Sequence, residues 1–261
     1  MKDMYAAFIF FTRLPLWRLK AYPLSSGDFS RVIGYWAVTG LLTGGVAAGA
    51  LYLLSYMFPY TVAVVFALVC RTLVTGALHE DGLADFFDGF GGGVSRERIL
   101  EVMKDSHIGT YGVIGLVFYF LMFVTLLSGM DVRLACAVLF AGDPLSKLIS
   151  SQITVVLPYA RSVATSKTKT VYEKPSWQSI AVSMSAGLLP LLLLEMKWWL
   201  ATLFPLCVFV MLILMLKKRI GGYTGDCCGA MFLLCELSFY VGISLLCNCQ
   251  LLNYSIIQLF N

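Results

Sequence analysis

Leu203-Phe204-Pro205-Leu206-Cys207-Val208-Phe209-Val210-Met211-Leu212-Ile213-Leu214-Met215-Leu216, followed at once by Lys217-Lys218-Arg219, is the stretch that decides the fold. No charge occurs from Trp198 to Leu216, and then three cations come together. A helix needs about 20 apolar residues to cross the hydrocarbon core of a bilayer. An uncharged run of that size ending in a basic cluster predicts a membrane span with its last turn at the cytoplasmic face.

Six further stretches have the same character, and the expected spans are about 33–57, 60–78, 109–130, 132–152, 178–195, 198–216 and 229–247. The composition agrees. Hydrophobic residues make up 59% of the 261 residues and charged residues only 13%, about half the share of a soluble domain. Mean hydropathy is +0.82. The expectation is an all-α, polytopic integral membrane protein of about seven transmembrane helices, forming a single membrane-embedded catalytic domain over residues 1–261. The net charge of +4 is too small to suggest a nucleic-acid partner.

Loop charge supplies an independent check. Lys2, Arg13, Arg18, Lys20 and Arg31 precede the first stretch. Arg96, Arg98 and Lys104 lie between the second and third, and Arg161, Lys167, Lys169 and Lys174 between the fourth and fifth. The intervening turns hold only Arg133 and Lys197. Rich and poor loops alternate, so the positive-inside rule predicts a cytoplasmic N-terminus. The opening MKDMYAAFIFFTRLPLW lacks the cleavage site of a signal peptide and is too short to span, so it is expected at the interface. The eight cysteines have no zinc-site spacing, and several sit in apolar runs, where cysteine acts as a small hydrophobe.

Chemistry is expected in the long polar loops. His79-Glu80-Asp81-Gly82-Leu83-Ala84-Asp85-Phe86-Phe87-Asp88-Gly89 puts Asp81, Asp85 and Asp88 at i, i+4 and i+7, on one helical face. Like charges so arranged repel, and a divalent cation relieves them. Oxygen-only ligands suit Mg²⁺ and leave coordination positions for substrate phosphates. The competing interpretation is a solvated acidic helix end. The glycines after Asp88 are expected to let the chain turn sharply and a substrate approach the backbone. Ser95 is placed to cap the next helix, and Arg96, Arg98 and Lys104 are of the type that binds phosphate oxygens. Gly221-Gly222-Tyr223-Thr224-Gly225-Asp226 is a second phosphate-binding candidate, a glycine turn leading into a helix beside Lys217, Lys218 and Arg219. Four charges fall inside the spans: Arg71, Asp143, Lys147 and Glu236. Asp143 and Lys147 are four apart and positioned to pair, whereas Glu236 is a candidate for either the metal or the substrate. His79 is a neighbour of the metal site, a proton shuttle or an interfacial helix-end histidine.

Three motifs in order carry a resemblance: His79-x-Asp81-Gly-Leu-Ala-Asp85-x-x-Asp88-Gly, then Met103-Lys104-Asp105-Ser106-x-Ile108-Gly109-Thr110-x-Gly112, then Gly221-Gly222-x-Thr224-Gly225-Asp226-x-x-Gly229-Ala230. With Phe11-Thr12-Arg13-Leu14-Pro15, they resemble the cobalamin synthase family, also called adenosylcobinamide-GDP ribazoletransferase. Family members often have Arg where this chain has His107.

The resemblance implies a prokaryotic, Mg²⁺-dependent, inner-membrane enzyme with its active site facing the cytoplasm. Adenosylcobinamide-GDP would be joined to α-ribazole or α-ribazole 5′-phosphate with loss of GMP. It further implies Asp81, Asp85 and Asp88 as catalytic residues that also hold the metal, with Asp226 and Glu236 as further metal candidates. Arg13, Lys104, Asp105, Ser106, Gly221, Gly222, Thr224 and Gly225 are the implied substrate contacts. The expected partners are these substrates and the lipid bilayer, with homo-oligomerisation left open. Two other classes compete: a CDP-alcohol phosphatidyltransferase, whose aspartate motif is only partly echoed, and a secondary transporter using Asp143, Lys147 and Glu236.

Overall fold

In the computed structural model, which describes residues 1–161 and 172–259 (the side chains of 26 and 249–259 excepted), the chain folds into helices joined by short loops. They are α1 (Lys2–Phe11), α2 (Trp36–Leu54), α3 (Tyr60–Thr75), α4 (Leu78–Gly92), α5 (Arg96–Val102), α6 (Thr110–Ser128), α7 (Val132–Ser151), the single turn α8 (Ile153–Val156), α9 (Trp177–Leu188), α10 (Leu203–Arg219) and α11 (Gly225–Leu259). Lys167 and Lys169 lie outside the described residues.

Four stretches are long and apolar enough to cross a membrane: Val32–Leu54, Thr110–Ser128, Met196–Arg219 and Gly225–Asn248. The pair α3 and α4 makes a fifth if taken as one broken span. The polytopic character therefore stands. Seven crossings are not reached by length and hydropathy alone, for two physical reasons. α9 is short and runs on into a 3₁₀ turn, Leu189–Leu193. α7 is long enough but carries Asp143, Lys147 and several serines, because neighbouring helices rather than lipid surround its second half, buried from Ala141 to Lys147.

Small residues make that central position possible. A Cβ on Gly40 of α2 would lie 2.6 Å from the Pro144 Cα, and one on Gly44 would lie 2.9 Å from the Leu139 carbonyl oxygen. Gly187 of α9 similarly abuts Leu148, and Gly142 of α7 abuts Phe239 and Tyr240 of α11. This is the small-residue packing by which membrane helices approach without a hydrophobic driving force.

The interior charges pair across the bundle. Arg71 Nη1 donates to both Glu236 oxygens at 2.6 Å, its Nη2 donates to Tyr119, and Tyr240 donates to Glu236 at 2.8 Å. Lys147 meets Asp143 at 2.7 Å, as the spacing predicts, and Thr43 bonds to both. The described cysteines are free thiols. At the N-terminal end, Asp28 accepts from the Ser25 amide and pairs with Lys2 and Arg31. The Ser25 bonds and Lys2 hold its carboxyl well below the usual carboxylate range. This cluster ties α1 to the start of α2.

Candidate active site

A sharp break between α3 and α4 sets up the site. Gly76 (φ 66°) and Ala77 (φ 57°) are both left-handed, and the two helices meet at 93°. Glycine adopts this conformation readily, whereas Ala77 is uncommon there. The Arg13 side chain crosses the bend where a Gly76 Cβ would stand, and the Arg13 amide donates to the Val74 carbonyl at 2.7 Å. The N-terminal run therefore braces the bend, with Arg13 itself exposed. The sharp turn expected of the glycines after Asp88 is found here instead. Gly89 remains helical against Met103, and Gly91 against Tyr111.

α4 then packs on the start of α11 through two glycines. A Cβ on Gly82 would lie 3.1 Å from the Asp226 carbonyl oxygen, and one on Gly229 would lie 3.2 Å from that of His79. Asp81-Gly82 and Asp226-x-x-Gly229 are thus reciprocal: each glycine admits the backbone that carries the other motif's aspartate. Thr224 accepts the Cys227 amide at 3.3 Å and so caps α11, placing Asp226 in its first turn. A carboxylate there is favoured by the helix dipole.

Asp81 and Asp226 line the same cavity, of about 120 Å³. Phe10, Phe11, Trp36, His79 and Tyr172 form much of its remaining wall, and Gly225 also lines it. Asp81 is exposed and Asp85, one turn further along α4, is buried. The aromatic wall was not visible in the sequence. His79 was singled out, but nothing in the spacing linked it to Phe11 or Trp36.

Asp88 does different work. One of its oxygens accepts from the Gly109 amide at 2.7 Å and the other from the Gly112 amide at 2.8 Å. A Cβ on either glycine would strike the carboxylate, which therefore caps α6 from a distance. Asp88 also borders an open groove of about 430 Å³, with Arg98, Asp105, His107 and Thr110 among its other walls. Lys104, Asp105, Ser106 and His107 are all exposed. The backbone amide of His107, and then its ring, hold the Asp105 carboxyl below its ordinary value.

Several cations of the expected phosphate-binding type have partners in the fold. Arg96 donates to the carbonyls of Ile220 and Ala160, Arg161 to that of Leu100, and Arg219 to that of Gly93. These bonds tie together the polar ends of the helices. Arg98 pairs with Glu101 beside the Ser95 cap. The glycine turn is also engaged: Gly222 abuts the Pro158 carbonyl, and Tyr223 and Ala160 exchange backbone bonds with residues 158 and 223. Glu236 is some ten residues down α11 from Asp226, in its ion pair with Arg71.

Among the described residues, no three His, Cys, Asp or Glu side chains are grouped as they would be around a metal ion. The donors at the cavity are nonetheless carboxylate oxygens on two helices locked together by glycine. Such a pair suits a hard cation that draws its remaining ligands from phosphate.

Comparison with known proteins gives the family. A family profile described as Cobalamin-5-phosphate synthase matches residues 3–244. A protein of Shewanella amazonensis named adenosylcobinamide-GDP ribazoletransferase is 39% identical over 245 residues, covering 92% of this chain and 94% of the relative. Proteins of the same name from Shewanella sp. strain W3-18-1 and Shewanella frigidimarina are each 34% identical, covering 89% and 92% of this chain and the same shares of their own lengths. No solved structure matches the chain.

Proposed function

This chain belongs to the cobalamin-5-phosphate synthase family, and from that membership we propose that it joins adenosylcobinamide-GDP to ribazole with release of GMP, the final step of cobalamin synthesis. A sugar hydroxyl of α-ribazole, or of α-ribazole 5′-phosphate, attacks the phosphorus that bears the cobinamide. A new phosphodiester bond forms, the bond between the two phosphates breaks, and GMP departs.

The observation that carries the site is the reciprocal packing of Gly82 and Gly229, which gives Asp81 and Asp226 a common cavity. In this reading Asp81 and Asp226 would hold Mg²⁺, leaving it open to the substrate's phosphates. The ion, when bound, neutralises charge building on the phosphate oxygens. Metal binding lowers a carboxylate's basicity, so the roles divide. Asp85, the next carboxylate along α4, is the proposed base for the hydroxyl proton. Asp88 positions the start of α6, and Glu236 is left out of the metal set because Arg71 already neutralises it. Lys104 and Arg13, both exposed, attract the phosphates of the departing or entering nucleotide.

The same reading places the chain in the cytoplasmic membrane of a prokaryote, N-terminus inside, with the site at the cytoplasmic face. Seven crossings follow if α3, α7 and α9 with its 3₁₀ extension join the four long apolar helices. The alternation of loop charge supports it. The test is to supply adenosylcobinamide-GDP, ribazole and Mg²⁺ to membranes containing the protein. GMP is expected in equimolar amount with the new phosphodiester. Its absence from folded, membrane-inserted protein would overturn the reading.

A further inference from the structure

We propose that the aromatic recess beside Asp81 and Asp226 is the seat of the ribazole base, with Trp36 and His79 as its hydrogen-bonding groups; this rests on the ribazoletransferase reading. Phe11 and Trp36 stack at 5.3 Å between centroids and 19° between planes. His79 stands 5.5 Å from Trp36 and 6.2 Å from Phe11. Phe10 and Tyr172 meet edge-on at 6.3 Å on another part of the wall. All five residues line the cavity that Asp81 and Asp226 also line.

Two polar atoms in this wall are unsatisfied. Trp36 and His79 are buried, and neither Trp36 Nε1 nor His79 Nε2 has a hydrogen-bond partner among the described residues. A buried polar group without a partner costs about 1–3 kcal/mol, and native proteins rarely leave one unexplained. Two such atoms, on residues that line one cavity together with Phe10, Phe11 and Tyr172, suit a ligand with a flat apolar body and little polar edge.

Both substrates bring a bicyclic base. Guanine carries several donors on its edge, so it needs acceptors. The carboxylates are the acidic acceptors of this cavity, and the pyrophosphate with its cation already claims them. The benzimidazole of ribazole is apolar apart from one free ring nitrogen, an acceptor. Trp36 Nε1–H is a donor only, and the neutral His79 ring supplies either role. The recess thus complements benzimidazole and leaves guanine's donors unmet. It is also far too small for a corrin ring. A base seated here carries its ribose toward the pyrophosphate held at Asp81 and Asp226.

The test is equilibrium binding of α-ribazole and, separately, of GMP to the purified full-length protein, with Mg²⁺. Trp36→Leu should weaken ribazole binding about tenfold or more, as loss of a stacking platform does. Trp36→Phe, which keeps a ring and loses the donor, should weaken it less, and His79→Phe should weaken it as well. GMP affinity should not change in any of them. Loss of GMP affinity with ribazole unaffected would assign the recess to guanine. No change in either would make it packing only, and both results overturn the proposal.

Should the variants not fold, the wild-type protein decides. Free benzimidazole should compete with ribazole and not with GMP, and the reverse pattern refutes the assignment. Wild-type membranes that release no GMP would instead defeat the underlying reading of function.

Discussion

Asp226 and Glu236 sit on the same helix, about 15 Å apart along its axis, and have opposite fates. Glu236 lies among helices, clasped by Arg71, Tyr119 and Tyr240. Asp226 is in the first turn, facing a cavity it shares with Asp81. The interior also pairs Asp143 with Lys147, so each of these two carboxylates has a cation in contact. A charge in the hydrocarbon region is stable only when so matched, and a matched charge has little capacity left for chemistry. At the first turn of α11, a carboxylate facing a cavity can have its charge balanced by what binds. The comparison teaches that position along one helix, more than residue type, separates structural carboxylates from candidate catalytic ones.

The largest effect is expected from breaking the interior. Glu236→Gln leaves Arg71 buried without its counter-ion and should cost about 3–5 kcal/mol in unfolding measured in detergent. Arg71→Met combined with Glu236→Gln should recover much of that loss. Asp81→Asn and Asp226→Asn should do the reverse, lowering GMP release about a hundredfold or more with unfolding shifted by no more than about 0.5 kcal/mol. Equal damage to stability from both pairs of sites would erase the distinction drawn here.

Gly82→Ala sharpens it. The new methyl group meets the Asp226 backbone, which cannot yield as a flexible side chain would. Turnover should fall about tenfold through misplacement of the two aspartates, while Gly49→Ala, where a Cβ meets nothing, should be neutral. The smallest effect is at Asp88→Asn. Loss of the charged cap on α6 should cost about 1–2 kcal/mol in unfolding, and activity should fall only as far as the α6 terminus loosens. A loss of turnover as large as at Asp81, with unfolding unchanged, would return Asp88 to the catalytic set.

Much of this was legible in the sequence. Each of the seven apolar stretches is helical, because hydropathy and loop charge act along the chain. The pairing of Asp143 with Lys147 followed from their spacing on one helix. What could not be read is what happens across the chain. The bend at Gly76-Ala77 depends on Arg13 and the N-terminal run lying over it, and a single glycine in an apolar helix gives no such sign. Asp88 shares the spacing of Asp81 and Asp85 but bonds to amides more than twenty residues on. Arg71 finds Glu236 165 residues away. The aromatic recess draws on four separate segments. Sequence made Asp81 and Asp226 separate metal candidates, and only the packing of Gly82 against Asp226 and of Gly229 against His79 puts them on one cavity.

The most direct measurement is the Mg²⁺ dependence of adenosylcobinamide-GDP binding to the wild type, Asp81→Asn, Asp226→Asn and the double variant. One shared cation site predicts that either single substitution removes the enhancement by Mg²⁺ and that the double variant loses nothing more. Independent, additive losses, or full Mg²⁺ enhancement retained in either single variant, would contradict it.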